Sequence, residues 1–243
     1  MRRNFILYYL FCVFFISGSC NKEQAEGFFD YRTLGASAHD LLSSAKYPSL
    51  QIEIQYMPGY APDASALNNL VTFLNSRINK PSGINIIQEE IGPSSLSVSS
   101  LNNIVNIERS YRNYFTGNDV ISVYVLITNG YYSGNNILAI SYWNTSFCVF
   151  GKPIDDNTDQ PGDVSRSVLL TTILEHEFGH LMGLVDQGSP MLTNHRDPAN
   201  GAHCSNPDCL MYYNVEAGFT DIISAVPSLD ANCIADLKAN GGK

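Results

Sequence analysis

His176, Glu177, His180 and Gly183 stand close together in the stretch T-T-I-L-E-H-E-F-G-H-L-M-G-L-V-D, residues 171–186. On a helix, residues four apart share a face. His176 and His180 can therefore direct both imidazoles at one divalent ion. Glu177 is displaced around the axis from its neighbour and can reach a water held by that ion. Two imidazoles and a carboxylate in the order H-E-x-x-H are the equipment of a zinc hydrolase: two metal ligands and a general base.

The spacing demands a helix, and the surrounding residues supply one. Ser165 or Ser167 is placed to cap its start. Val168, Leu169, Leu170, Ile173, Leu174, Phe178 and Leu181 recur with helical period, and Gly183 ends it because glycine takes left-handed geometry without strain. A catalytic zinc keeps one of four positions for water, so a third protein ligand must follow. Asp186 lies three residues beyond Gly183. His203 lies further on, in Ala202-His203-Cys204-Ser205-Asn206-Pro207-Asp208-Cys209-Leu210-Met211, and His195 sits between them.

With these residues in view, the chain resembles the metzincin clan of zinc peptidases. Their motif is H-E-x-x-H-x-x-G-x-x-H or D, followed by a turn with a methionine beneath the metal, and Met211 fits that methionine. The stretch from His203 through Cys204 and Cys209 to Met211 is similar to archaemetzincins, whose third ligand is the histidine before the first cysteine. The Asp186 spacing is similar to snapalysin-type enzymes, where an aspartate has that role. Both features are present, separated by an insertion, 187–202. His203 is the preferred third ligand because it keeps the register to Met211; Asp186 is the alternative, or an outer acceptor for a ligand histidine. In astacin- and serralysin-like members a tyrosine two residues past the methionine stabilises the transition state, a place that Tyr213 holds here. The resemblance is strongest over 168–213.

Archaemetzincins also carry a later Cys-x-x-Cys pair and a second, structural zinc. Here only Cys233 follows. The expectation is therefore one catalytic Zn2+ and, for an exported chain, disulfides. With Cys12 and Cys20 in or at the end of the leader, the expected pairs are Cys204–Cys209 and Cys148–Cys233.

Export is read from the start of the chain. Arg2 and Arg3 precede an apolar run, 5–16, that is too short for a good membrane span. Ser17-Gly18-Ser19-Cys20 then resembles a relaxed bacterial lipobox, which implies lipidation of Cys20 and a membrane anchor. Residues 1–20 are thus expected as a lipoprotein signal peptide and 21–46 as a polar linker. The folded peptidase domain is expected over 47–243, placed at an outer membrane, cell surface or periplasm. A formal net charge of −9 argues against nucleic acid as a partner, since phosphate binding needs a basic face.

Upstream of the motif, strict alternation over 50–56 predicts a half-buried strand. Helices are expected over 64–78, capped by Asp63, and from Ser99 or Ser100 to about 115. Strands are expected over 84–91, 120–128, 137–143 and 146–150, and a short capped helix within 228–242. This order predicts an α+β fold with a mixed sheet backed by helices. The resemblance adds a mainly parallel, twisted sheet of the zincin type, a methionine turn and a C-terminal helix. It also implies that a protein or peptide substrate lies along an edge strand, here 137–143, with Trp143, Tyr131 and Tyr132 near the cleft. Rival readings are a lipoprotein that binds a protein or glycan on this scaffold, and a zinc hydrolase of cell-wall peptides. An intact Glu177 with both histidines favours an enzyme over the first.

Overall fold

The β-branched run at 120–128 becomes the central strand of a five-stranded sheet, as its composition suits. The computed structural model describes residues 32–95, 98–133, 137–158, 163–215 and 225–243. The chain opens with α1 (Ala38–Leu42), β1 (Ser49–Tyr56), α2 (Ala64–Arg77) and β2 (Ile84–Glu90). It continues with β3 (Val98–Ser99), α3 (Leu101–Tyr111), β4 (Val120–Thr128) and β5 (Tyr131–Tyr132). Then come β6 (Ala139–Trp143), β7 (Ser146–Phe150), α4 (Gly151–Asp156), α5 (Arg166–Leu181) and, last, α6 (Ala231–Ala239). The sheet order is β2-β1-β4-β7-β6. The first four are parallel neighbours and β6 returns antiparallel to β7 at the edge. A mixed, mainly parallel sheet with backing helices is the architecture the sequence predicted.

Alternation sorts the strands into two cores. Val123, Val125 and Ile127 of β4 and Phe147 and Val149 of β7 join the core shared with α2 and α5. Tyr124, Leu126, Cys148 and Phe150 point the other way, towards Ile104 of α3. On β1 the expected polar face is not solvated. Glu53 and Gln55 are buried where the end of α3 crosses them. The Glu53 carboxylate accepts the backbone N–H groups of Asn113, at 2.9 Å, and Tyr114, at 3.0 Å, and Gln55 donates to Tyr111 O at 2.6 Å. A buried carboxylate is tolerated when its lone pairs are filled in this way. Arg112 and Glu108 form a buried pair at 2.7 Å, and Tyr142 and Ser146 each donate to Glu108 at 2.7 Å. This network fixes β6 and β7 against α3.

The motif helix is placed chiefly by α2. Ser65 meets Ser167 at 2.6 Å and Asn69 meets Thr171 at 3.4 Å, so the two helices run side by side in the same direction. Asp63 departs from its expected role. It precedes α2, but its side chain does not cap it; the carboxylate pairs with Arg166 at 2.7 Å and joins the two helix starts. An arginine fork within reach outcompetes a local cap.

The expected linker over 21–46 also needs correction. Its first residues, with the leader and Cys20, lie outside the described residues. From Ala38 onward the chain is part of the domain, because Ala38, Leu41 and Leu42 are buried. Lys80 explains why so polar a segment docks. Its ammonium, on a residue 6% exposed, donates to the carbonyls of Asp40 at 2.7 Å, Ser43 at 2.6 Å and Tyr47 at 2.6 Å. Lys80→Met leaves three carbonyls without this donor. The expected loss is roughly 2–4 kcal/mol of unfolding free energy, read from urea midpoints; an unchanged midpoint would refute the role. Among the described residues, no helix is long and apolar enough to cross a membrane.

Candidate metal centre

The motif helix α5 starts at the Ser165 cap, whose side chain accepts Val168 N–H at 3.3 Å. It is not the one-sided amphipathic helix of the sequence reading. Every residue from Leu169 to Leu181 is buried, polar ones included. Thr171 and Thr172 satisfy their hydroxyls locally, donating to Ser167 O and Val168 O. Surrounded in this way, the helix holds its histidines in fixed directions.

His176 and His180 face each other with their Nε2 atoms 3.1 Å apart. Two nitrogens on one tetrahedral zinc, each about 2.0–2.1 Å from it, would be about 3.3 Å apart. His203 closes the set, its ring centroid 5.3 Å from that of His176 and 5.1 Å from that of His180. The ligand atoms of all three lie within 4.8 Å of one another. Backbone carbonyls fix two of the tautomers. Nδ1–H of His176 donates to Leu210 O at 2.7 Å, and Nδ1–H of His203 donates to Asn200 O at 2.6 Å. Each leaves Nε2 as the lone-pair nitrogen, the orientation typical of ligand histidines. Three neutral imidazoles converging from two segments suit zinc in charge, hardness and number.

Glu177 lies beside this triad, fully buried, and the Ser141 hydroxyl on β6 donates to its Oε2 at 2.6 Å. Pairing of β6 with β7 shifts register between Ser141 and Trp143. Such an irregularity re-aims a side chain, and here it falls at the residue that meets the carboxylate. Met211 packs against the motif helix at Gly179. A Cβ on Gly179 would stand 2.2 Å from Met211 Sδ, so only glycine lets Met211 approach the helix this closely. Cys204 N–H donates to Met211 O at 2.7 Å, which ties the His203 segment to the methionine turn.

Archaemetzincin from Methanopyrus kandleri has a matching structure, with a TM-score of 0.53 and 13% identity over 79% of this chain and 96% of that one. The chain has the archaemetzincin fold. Metalloproteinase-II from Bacteroides fragilis is a second neighbour, at a TM-score of 0.42 and 15% identity, covering 81% of this chain. The match spans 54% of that protein, about half its length. No protein-family model and no curated protein matches the sequence.

Within the archaemetzincin fold, Asp186 does not join the histidine triad. At Gly183 the chain turns left-handed (φ 77°), and Val185 and Asp186 follow at φ 56° and 64°. A Cβ at Gly183 would stand 2.6 Å from Ser189 N and 2.7 Å from the Ala38 side chain. This tight turn leaves Asp186 exposed, whereas the ligand atoms that gather with His176 and His180 are those of His203. Tyr213 opens a short 3-10 turn, Tyr213–Val215, that touches α5, and its ring lies against Tyr212 at 4.8 Å.

The expected disulfides are absent, and all four cysteines are buried thiols. Cys148 and Cys233 belong to different cores, on opposite faces of the sheet. Burial, and then the nearby Glu177 carboxylate, holds the Cys148 thiol far above its usual pKa. Cys204 and Cys233 lie against His195, and Cys209 Sγ is 3.7 Å from Cys233 Sγ. Of the aromatics expected near the cleft, Tyr131 bonds Asp156, Tyr132 meets the Phe150 ring at 5.3 Å, and Trp143 lies against Tyr142 at 5.5 Å on the edge strand. Sequence reasoning missed Ser141, Leu210 O and Asn200 O, which act through a hydroxyl and two backbone carbonyls that no motif encodes.

Proposed function

We propose that the chain is a zinc-dependent endopeptidase. The convergence of His176, His180 and His203, with the Glu177 carboxylate beside them, carries this reading. Zinc, when bound by the three imidazoles, supplies a Lewis acid that polarises a carbonyl and makes water more acidic. Glu177 takes the proton from the attacking water and hands it to the departing amine. Ser141 holds that carboxylate in place from the edge strand. Because β6 is the edge of the sheet, an extended peptide can add to it through backbone hydrogen bonds, which places its scissile bond near the triad. Tyr213 is the proposed transition-state donor. Anchoring through a lipid on Cys20, at an outer membrane, cell surface or periplasmic face, is part of the same proposal.

The test combines zinc content by elemental analysis with hydrolysis of casein, gelatin and muropeptides. Metal-dependent cleavage of either protein supports the endopeptidase. Cleavage of muropeptides alone would redirect the reading to cell-wall peptides. A folded protein without zinc would favour a binding protein. Ser141→Ala separates positioning from binding: kcat should fall about tenfold, equivalent to about 1.4 kcal/mol, with KM nearly unchanged. A change confined to KM would assign Ser141 to substrate contact instead.

A further inference from the structure

The edge strand β6 turns one side chain to the catalytic residues and another to the opposite side of the sheet. Its partner strand fixes which is which, because paired residues share a side. Ser141 pairs with Phe147, which belongs to the core shared with α5, and its hydroxyl reaches Glu177 on that side. Trp143 pairs with Ser146, whose hydroxyl donates to Glu108 of α3 on the other side. Tyr142 also donates to Glu108, so the register shift sends two successive side chains towards α3. There Trp143 lines a cavity of about 500 Å³ with Arg32, Glu108, Arg109, Arg112 and Phe115. That volume is in the range of small-ligand sites.

The cavity is positive, in a chain whose formal net charge is −9. Three guanidiniums line it against one carboxylate, and that carboxylate is already satisfied. Glu108 Oε1 accepts from Arg112 and from Ser146, each at 2.7 Å, and Oε2 accepts from Tyr142 at 2.7 Å. Arg112 donates further to Ser122 O at 3.0 Å and to Tyr114 O at 2.9 Å. It therefore cancels Glu108 and leaves the charge of the other two arginines in excess. Arg109 is exposed and makes no ion pair among the described residues. Arg32 is tied to the end of β6: its carbonyl accepts Asn144 N–H at 3.0 Å, and its guanidinium stands over the Trp143 ring at 5.9 Å. Trp143 and the exposed Phe115 add apolar walls, beside which an ion pair is stronger than in open water. A short apolar stem that ends in a planar anion suits such a place. That is the side chain of Glu or Asp, whose carboxylate an arginine fork takes bidentately.

We propose that this cavity takes an acidic side chain of an extended peptide lying along β6, and so makes the chain selective for acidic peptides. The inference rests on the endopeptidase reading and gives it a substrate class. Side chains of an added strand alternate between the two sides of the sheet. One beside Ser141 is turned to the triad, and one beside Trp143 is turned to the arginines. The selected acid therefore lies within about two residues of the scissile bond, at about 3.3 Å of strand per residue.

Trp143 is the chain's one tryptophan, so its fluorescence reports on the cavity without any turnover. The full chain carrying Glu177→Gln is titrated with blocked heptapeptides of alanine and serine that hold a single Glu, or a single Gln, at each position in turn. At the preferred position the Glu peptide should change the emission with a Kd about tenfold lower than its Gln counterpart, and added salt should narrow the difference. Arg109→Gln should narrow it by itself. Arg32→Glu/Arg109→Glu should reverse it, in favour of the matching Lys peptide, a gain of binding that a misfolded chain would not show. Hydrolysis of the same peptides by the zinc-loaded wild type is read separately. Acid-selective binding without hydrolysis would refute the endopeptidase reading and still support the cavity as a site for acidic peptides. Equal Kd values across every Glu and Gln pair, or an acid preference that survives the charge reversal, would overturn the proposal.

Discussion

Glu177→Gln is expected to leave the zinc content unchanged and to lower kcat/KM by about 10²–10⁴-fold, the usual contribution of a positioned general base. The substitution preserves shape, and the amide oxygen can still accept the Ser141 hydroxyl that now reaches Oε2 at 2.6 Å. It removes only the ability to take a proton. The helix is enclosed on all sides, so a change of nearly equal volume is absorbed without repacking. Elemental analysis on the same preparation distinguishes loss of the base from loss of the metal. Hydrolysis retained at the wild-type rate with zinc bound would defeat the mechanism, since Glu177 is the one base it assigns.

Some of this site was readable because the relevant geometry is local. Four-residue spacing is a property of the helix itself, so His176 and His180 follow from the sequence once α5 is recognised. The alternation of β1, the β-branched run of β4 and the caps of α3 and α5 were legible for the same reason; Ser100 closes a reciprocal capping box with Asn103. His203 needed a longer argument, its register to Met211. The failures are contacts between distant segments. His195 and Asp236 are 41 residues apart, and nothing near either announces the other. The cysteines were expected in disulfides from their presumed compartment, whereas a histidine from the insertion and a helix start bring them together. The segment around α1 looked like a tether because its few apolar residues lack a long pattern, and Lys80, which anchors it, lies well downstream. The insertion, 187–202, appeared to interrupt the motif. In three dimensions it supplies Asn200 O to His203 and His195 to the thiols.

That role of the insertion gives the second prediction, a contrast between His203→Ala and Asp186→Gly. His203→Ala should remove the catalytic zinc, lowering the count by one ion per chain and abolishing hydrolysis. Loss of an outer partner of a ligand histidine costs about 10–100-fold in metal affinity, so loss of the ligand itself should cost more than about 100-fold. Asp186→Gly is the fair control. Glycine accommodates the positive φ at this position, so the variant deletes the carboxylate without straining the turn. Zinc content and turnover should both stay near wild type, because Asp186 is exposed and outside the cluster. Each variant is measured by elemental analysis, peptide hydrolysis and thermal unfolding. If Asp186→Gly loses the ion and His203→Ala keeps it, the third ligand has been misassigned and the tight turn after Gly183 must open to deliver the aspartate. That opening would have to break the bonds from Leu184 N to Gly179 O at 3.1 Å and from Ser189 N to Gly183 O at 2.9 Å, and would pull Val185 from the core. The His203 arrangement needs none of these changes, since Asn200 O already turns its Nε2 to the other two imidazoles.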